Sequence, residues 1–169
     1  MVFTLYHAII SLGFWVVVSS EFEIISFVLG SMLPDIESVY YAFEALKYCP
    51  ANDYVCLAEY PSHYFLHSFL GITFLACIIA YSVNFLREKL GLVAVSLKRL
   101  FISAVIGGIT HLFVDLTVHR GEDALMLFFP FPERFSFVFP CSFAFWHGFM
   151  IASIFAVIAC REKITRWLK

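Results

Sequence analysis

The chain has 169 residues, 62% of them hydrophobic and 14% charged, with a formal net charge of −2 and a mean hydropathy of +0.88. Soluble domains run at roughly 45–50% apolar and about 25% charged, and a globule this small has too much surface for its volume to hide such an excess. The composition excludes an ordinary soluble domain, and the near-neutral charge with no basic stripe excludes a nucleic-acid partner. The expectation is an all-α polytopic membrane helix bundle, a single integral membrane domain over residues 1–169, with membrane lipids as its surroundings. The 21 Phe, 8 Tyr and 3 Trp suit a lipid-facing exterior with aromatic belts at the interfaces.

A spanning helix needs about 20 mostly apolar residues. Residues 2–18 form the first candidate; they lack the basic start of a cleavable signal and are expected to belong to the mature protein. Residues 22–32 follow a short acidic turn at 20–23 and are too short to span alone. Pro34 lacks a backbone donor and disfavours helix just before it. This second segment is therefore expected to break at Pro34, and either to continue toward Phe43 or to re-enter. Cys49 and Cys56 flank a short polar loop and pair if that loop faces an oxidising compartment. Cys77 and Cys160 sit in apolar runs and read as small buried hydrophobes. The longest candidates are residues 64–86, 100–118 and 141–159, for about four to five transmembrane segments with a Pro-broken second one.

Basic residues are distributed unevenly. Arg87, Lys89, Lys98 and Arg99 lie between the third and fourth segments, and Arg161, Lys163, Arg166 and Lys169 follow the fifth. The loop 44–62 carries only Lys47, and the loop 119–140 carries Arg120 and Arg134. Positive residues mark the cytoplasmic side. The 87–99 loop and the C-terminus are thus expected inside, and the 44–62 and 119–140 loops outside. Against this assignment, the turn at 20–23 lands inside with acids and no basic residue.

Ionisable groups within a span cost roughly 2.5–3.5 kcal/mol each even on insertion scales, which makes each one a functional candidate. They are His7, Asp35, His67, His111, Asp115 and His147, with His63 and His119 at span ends. Helix rise places His7, His67 and His147 roughly 5–10 Å below the outer face. Asp115 lies about 22 Å up from the inner face of a core ~30 Å thick. His111, Asp115 and His119 are spaced i, i+4, i+8 within an arc of about 80°. His63 and His67 are i, i+4 and share a stripe with Gly71. One layer near the extracytoplasmic side thus collects imidazoles and carboxylates with no Lys or Arg among them.

Such a patch stays unpaired unless a cation sits in it, and these are the usual ligands of zinc and other first-row divalent metals. The sequence predicts a metal centre for one or two ions, zinc by ligand chemistry, with His7, Asp35, His67, His111 and Asp115 as ligands. Asp35 is also the candidate general base. His119 and His147 are candidates for a second metal or for protonating a leaving group. Glu37 reads as a ligand, a base or a snorkelling carboxylate, and His63 as a polar residue beside the substrate. Ser68 and Thr117 read as hydrogen bonders to the ligands; as nucleophiles they would need a base and an oxyanion hole. Gly107 and Gly108 permit close helix approach, within one chain or in a homo-oligomer. The Phe-rich stretch 128–139 reads as an interfacial belt or a substrate rim.

FTLYHAI at the start, GSMLPDIE at 30–37, LHSFLG at 66–71 and GGITHLFVDLTVHRG from Gly107, followed by FFPF, resemble the LexA-regulated, membrane-bound, metal-dependent hydrolases of YdjM type. The resemblance extends over most of the chain up to about Phe131 and implies that His7, Asp35, His67, His111 and Asp115 occupy the family's polar positions. The order of these residues is also similar to that in zinc-dependent phospholipase C and S1/P1-type nucleases, helical enzymes that cleave phosphodiesters. Those close their cluster with a His-x-x-x-Glu pair, whereas His147 is followed four residues on by Ile151. Together these point to a metal-dependent hydrolase, phosphoesterase- or phospholipase-like, acting on a lipid-like substrate at the outer membrane face. Two other classes stay open: a non-catalytic membrane assembly protein tied together by metal, and a proton or metal-ion carrier. A carrier needs polar residues continuing to the inner face, where these spans are apolar.

Overall fold

The computed structural model describes residues 4–18, 22–50, 52–53, 55–56 and 60–168. Among them the regular structure is helical: α1 (Thr4–Val18), α2 (Ile24–Met32), α3 (Asp35–Tyr48), α4 (Phe69–Lys89), α5 (Leu97–Val118), α6 (Ser142–Ala159) and α7 (Arg161–Leu168). A 3-10 turn, Gly121–Asp123, follows α5, and one isolated bridge joins Leu125 to Phe135. Two helices, α4 and α5, are long and apolar enough to cross a membrane, and shorter apolar helices run over Leu5–Val17 and Ala144–Ala159.

The hub is α5, which packs most extensively on α2, then on α4, and also touches α1 and α6. Glycine makes the first of these contacts. A Cβ at Gly30 of α2 would lie 2.1 Å from the Ala104 carbonyl oxygen, and one at Gly107 of α5 would lie 2.0 Å from that of Phe27. Two backbones in direct contact leave no room for a side chain on either. Gly108 packs instead against Ile72 of α4, so both glycines serve contacts within the chain.

The start of α4 is set by Ser68, whose hydroxyl accepts from the Gly71 N–H at 3.0 Å and donates to the Phe65 carbonyl at 2.6 Å. The helix therefore begins later than residue 64, and residues 60–67 are irregular. His63 and His67 thus do not form the helical stripe with Gly71 that their spacing suggested; a capping serine stops the helix first. Along α4, Ile72, Ala76, Ile79 and Val83 are buried, while Phe74, Ile78, Tyr81 and Phe85 are exposed on the other side. A helix apolar all round is a membrane or deep-core element. Cys77 lies on the exposed side, which corrects its reading as a buried residue.

Leu33 and Pro34 separate α2 from α3, with Pro34 immediately before the first residue of α3. The exposed side of α3 is apolar (Ile36, Val39, Tyr40, Phe43), while Asp35 and Ser38 point inward. A disulfide joins Cys49 to Cys56 beyond its end. At the other end of the bundle, Glu23 caps α2 through Ser26 N at 2.6 Å and pairs with Arg87 of α4 at 3.1 Å, both buried. The acid at 20–23 has its counter-ion after all, supplied by a neighbouring helix.

Candidate metal centre

Asp115, on the last turns of α5, is 1% exposed and surrounded by imidazoles. Its Oδ1 lies 3.2 Å from His7 Nε2 and 3.6 Å from His119 Nε2. Its Oδ2 lies 2.9 Å from His111 Nε2, 3.6 Å from His67 Nε2 and 4.0 Å from His63 Nε2. Five rings thus bring the same nitrogen to one carboxylate. They come from α1, from the irregular 60–67 segment and from α5 with its C-terminal cap residue.

For four of the five, the opposite nitrogens explain why; His7 Nδ1 is buried without a hydrogen-bond partner. The Ser31 carbonyl stands 2.7 Å from His111 Nδ1; a carbonyl only accepts, so Nδ1 carries the proton and Nε2 presents a lone pair. Glu37 does the same for His67 at 3.1 Å. Asp123 serves two rings, His63 at 2.8 Å through Oδ1 and His119 at 2.6 Å through Oδ2. Carboxylate or carbonyl behind imidazole is the arrangement that fixes the tautomer of metal-ligating histidines.

What the inward atoms lack is a partner. His7 Nε2, His67 Nε2, His111 Nε2 and both Asp115 oxygens are buried, and none of them makes a hydrogen bond. Leaving such groups unsatisfied costs about 1–3 kcal/mol apiece, and native interiors rarely tolerate a cluster of them. A divalent cation satisfies lone pairs of this kind together. Ligand atoms of His7, Asp35, His111 and Asp115 lie within 4.8 Å of one another, as do those of His63, Asp115 and His119. The two groups share Asp115, and the donor set of imidazole and carboxylate fits a metal ion.

At the outer edge, burial opposes charge on His119, but the adjacent Asp115 and Asp123 carboxylates outweigh it and push its pKa up to about 9. Burial also opposes charge on Asp123, yet the bonds to His119 and His63 hold its pKa well below the carboxylate range. This end of the centre is thus an ion-paired layer even without a metal.

Of the other residues singled out from sequence, Glu37 gathers the irregular segment by accepting from Tyr64 N at 2.9 Å and Leu66 N at 3.0 Å, besides His67. Ser68 bonds only to nearby backbone as the cap of α4. Thr117 donates to the Val114 carbonyl and accepts from Trp146 Nε1, both at 2.7 Å, so it ties α5 to α6. His147 is exposed on α6 against the Tyr6 ring, with centroids 5.5 Å apart, and is not brought into either ligand group.

Asp123 was missed from sequence because an acid in a loop between helices costs nothing there and attracts no suspicion. Its signal was position: four residues after His119, behind Gly121, whose φ of +63° turns the chain back. Ser62 supports it, donating to Asp123 Oδ1 from its hydroxyl at 2.8 Å and its N–H at 3.2 Å.

No curated protein and no solved structure matches the chain. The family model of the YdjM inner membrane proteins matches residues 1–168. With apolar helices of membrane-crossing length around a buried His and Asp centre, the chain belongs to the YdjM inner membrane protein family.

Proposed function

We propose that the chain is a membrane-embedded, metal-dependent hydrolase that binds two zinc ions across Asp115 and cleaves a lipid-like phosphoester near the extracytoplasmic face. The observation that carries this reading is the ring of buried, unsatisfied Nε2 atoms around both oxygens of Asp115. His7, Asp35, His111 and Asp115 would hold one ion, and His63 and His119 with Asp115 would hold the other, with His67 beside them. Zinc supplies Lewis-acid polarisation of a phosphoryl oxygen and lowers the pKa of water toward about 7. Asp35 faces His111 at 3.9 Å and is the candidate base.

Depth and side support a substrate drawn from the bilayer. Asp115 is three residues from the end of α5, about 5 Å from the helix terminus. The Cys49–Cys56 disulfide closes the C-terminal end of α3, the helix that Asp35 begins, and disulfides persist in oxidising compartments. Arg87 and Lys89 at the end of α4 and Lys98 and Arg99 at the start of α5 lie at the opposite end, which is cytoplasmic by the positive-inside rule. In this reading α1, α4, α5 and α6 cross the membrane, and α2 with α3 makes the interrupted fifth passage.

Metal analysis of detergent-purified protein tests the proposal. The expected content is about two zinc per chain, lost in Asp115→Asn, with hydrolysis of phospholipids or isoprenoid phosphates abolished by chelation and restored by zinc. A folded protein that binds no divalent metal overturns it. The near-complete burial of His7, His67 and His111 also favours a second reading, in which the metal only ties the helices together. There, ligand variants melt at lower temperature and the loaded protein hydrolyses nothing.

A further inference from the structure

Arg134 stands at the rim of the centre. Its guanidinium lies over the Tyr64 ring, 5.2 Å from the centroid, and its Nη1 donates to the Ala124 carbonyl at 2.8 Å. Tyr64 follows His63 in the chain and Ala124 follows Asp123, so Arg134 bridges the two residues next to the bonded His63–Asp123 pair. The neighbouring His119 and Asp123 side chains, 12% and 11% exposed, are the least buried of the cluster. Arg134 is therefore at the end where the centre approaches its surroundings.

It is also an uncompensated cation. No carboxylate among the described residues pairs with it, and one backbone bond leaves most of its five N–H donors to spare. By contrast, the centre balances itself. Asp35, Glu37, Asp115 and Asp123 carry four negative charges, which two divalent ions neutralise. An anionic group entering a neutral centre brings charge that only an added cation offsets, and a planar guanidinium steadied on an aromatic ring suits the oxygens of phosphate.

We propose that Arg134 is the residue that recognises the substrate's phosphate group, held over Tyr64 at the open edge of the centre. The inference rests on the hydrolase reading above and adds to it the group that selects an anionic phosphate. The rival is a strut, Arg134 doing no more than holding the 124–135 turn through Ala124.

Titration calorimetry of zinc-loaded, detergent-purified protein separates them, with inorganic phosphate, dioctanoyl phosphatidic acid and dioctanoylglycerol as probes and zinc content measured in every sample. The wild type is expected to bind both phosphate-bearing probes and to show no Arg134-dependent binding of dioctanoylglycerol. Arg134→Gln should weaken phosphate binding about ten- to hundredfold at unchanged zinc content, and Arg134→Lys should recover part of it. Tighter binding of phosphatidic acid than of inorganic phosphate assigns the contact to a lipid headgroup; equal binding assigns it to the phosphate alone. The proposal is overturned if Arg134→Gln binds phosphate like the wild type with zinc in place, or if the zinc-loaded wild type binds neither phosphate probe. If Arg134→Gln loses zinc or unfolds, Arg134→Lys decides: zinc loss there too makes Arg134 a strut and overturns the proposal. A wild type that takes up no zinc instead removes the hydrolase reading itself.

Discussion

Asp115 faces five imidazoles with two oxygens, and its surroundings are sensible only if something positive sits between them. Protons are one candidate and a metal the other, and mutation distinguishes them. Asp115→Asn removes the charge but keeps the volume, so zinc content should fall to background while the helical circular dichroism persists. If the carboxylate only neutralised imidazolium, zinc content would not change because there would be none to lose. Asp123→Asn tests the outer layer, since Asp123 touches His63 and His119 on the nitrogens turned away from Asp115. Removal of such a supporting carboxylate typically lowers metal affinity about 10–100-fold, readable by competition with a chelator. These two residues also mark how much of the centre was legible. His7, Asp35, His111 and Asp115 stood out because lipid makes an ionisable group expensive, so each one in an apolar run needs a reason. Asp123 and Ser62 sit in loops where polar residues are free, and only the three-dimensional contact shows what they hold. Ser68 and Thr117 were read as partners of the ligands, yet short hydroxyl side chains next to a backbone turn bond locally first.

The same contrast holds for the helices. Apolar runs located α1, α4, α5 and α6, since spans are set by composition over many residues. Their ends follow single side chains. Ser68 delays α4 and leaves His63 and His67 on irregular backbone, where Asp123 and Glu37, respectively, rather than helix geometry orient the rings. The helix contact that matters most for the centre is α2 on α5, because Ser31 on α2 fixes the His111 ring. Gly107→Ala places a methyl 2.0 Å from the Phe27 carbonyl and must push α2 away. Overpacking of this kind costs about 1–3 kcal/mol, and the displacement should also loosen the Ser31–His111 bond. The expected result is a lower melting temperature together with weaker zinc retention. At the far end, Arg87→Met strands the buried Glu23 carboxylate. Breaking one side of a buried ion pair costs about 3–5 kcal/mol, so this variant should melt well below the wild type while the folded fraction keeps its zinc. A variant that lost zinc without losing stability would mean the two ends are coupled in a way these contacts do not provide.

For the molecule as a whole, the open quantity is which end of the bundle faces the cytoplasm, and α6 carries its own reporters. Cys141 caps its start and is exposed, and Cys160 caps its end. Its 18 residues span about 27 Å, close to the thickness of a hydrocarbon core, ~30 Å. The two thiols should therefore reach opposite surfaces, while Cys77 lies on the outward face of α4. Replacing Cys77 and one of this pair by Ala leaves a single free thiol and keeps the Cys49–Cys56 bond. A membrane-impermeant maleimide should then label Cys141 in intact spheroplasts, and Cys160 only after the membrane is opened. The reverse pattern would put the His and Asp centre at the cytoplasmic face and the disulfide in a reducing compartment. Charge and covalent chemistry would then contradict each other: Arg161 and the basic residues at the facing ends of α4 and α5 would face outward, against the bias that orients membrane chains. Agreement of the labelling with both constraints places the centre where lipids of the outer leaflet can reach it.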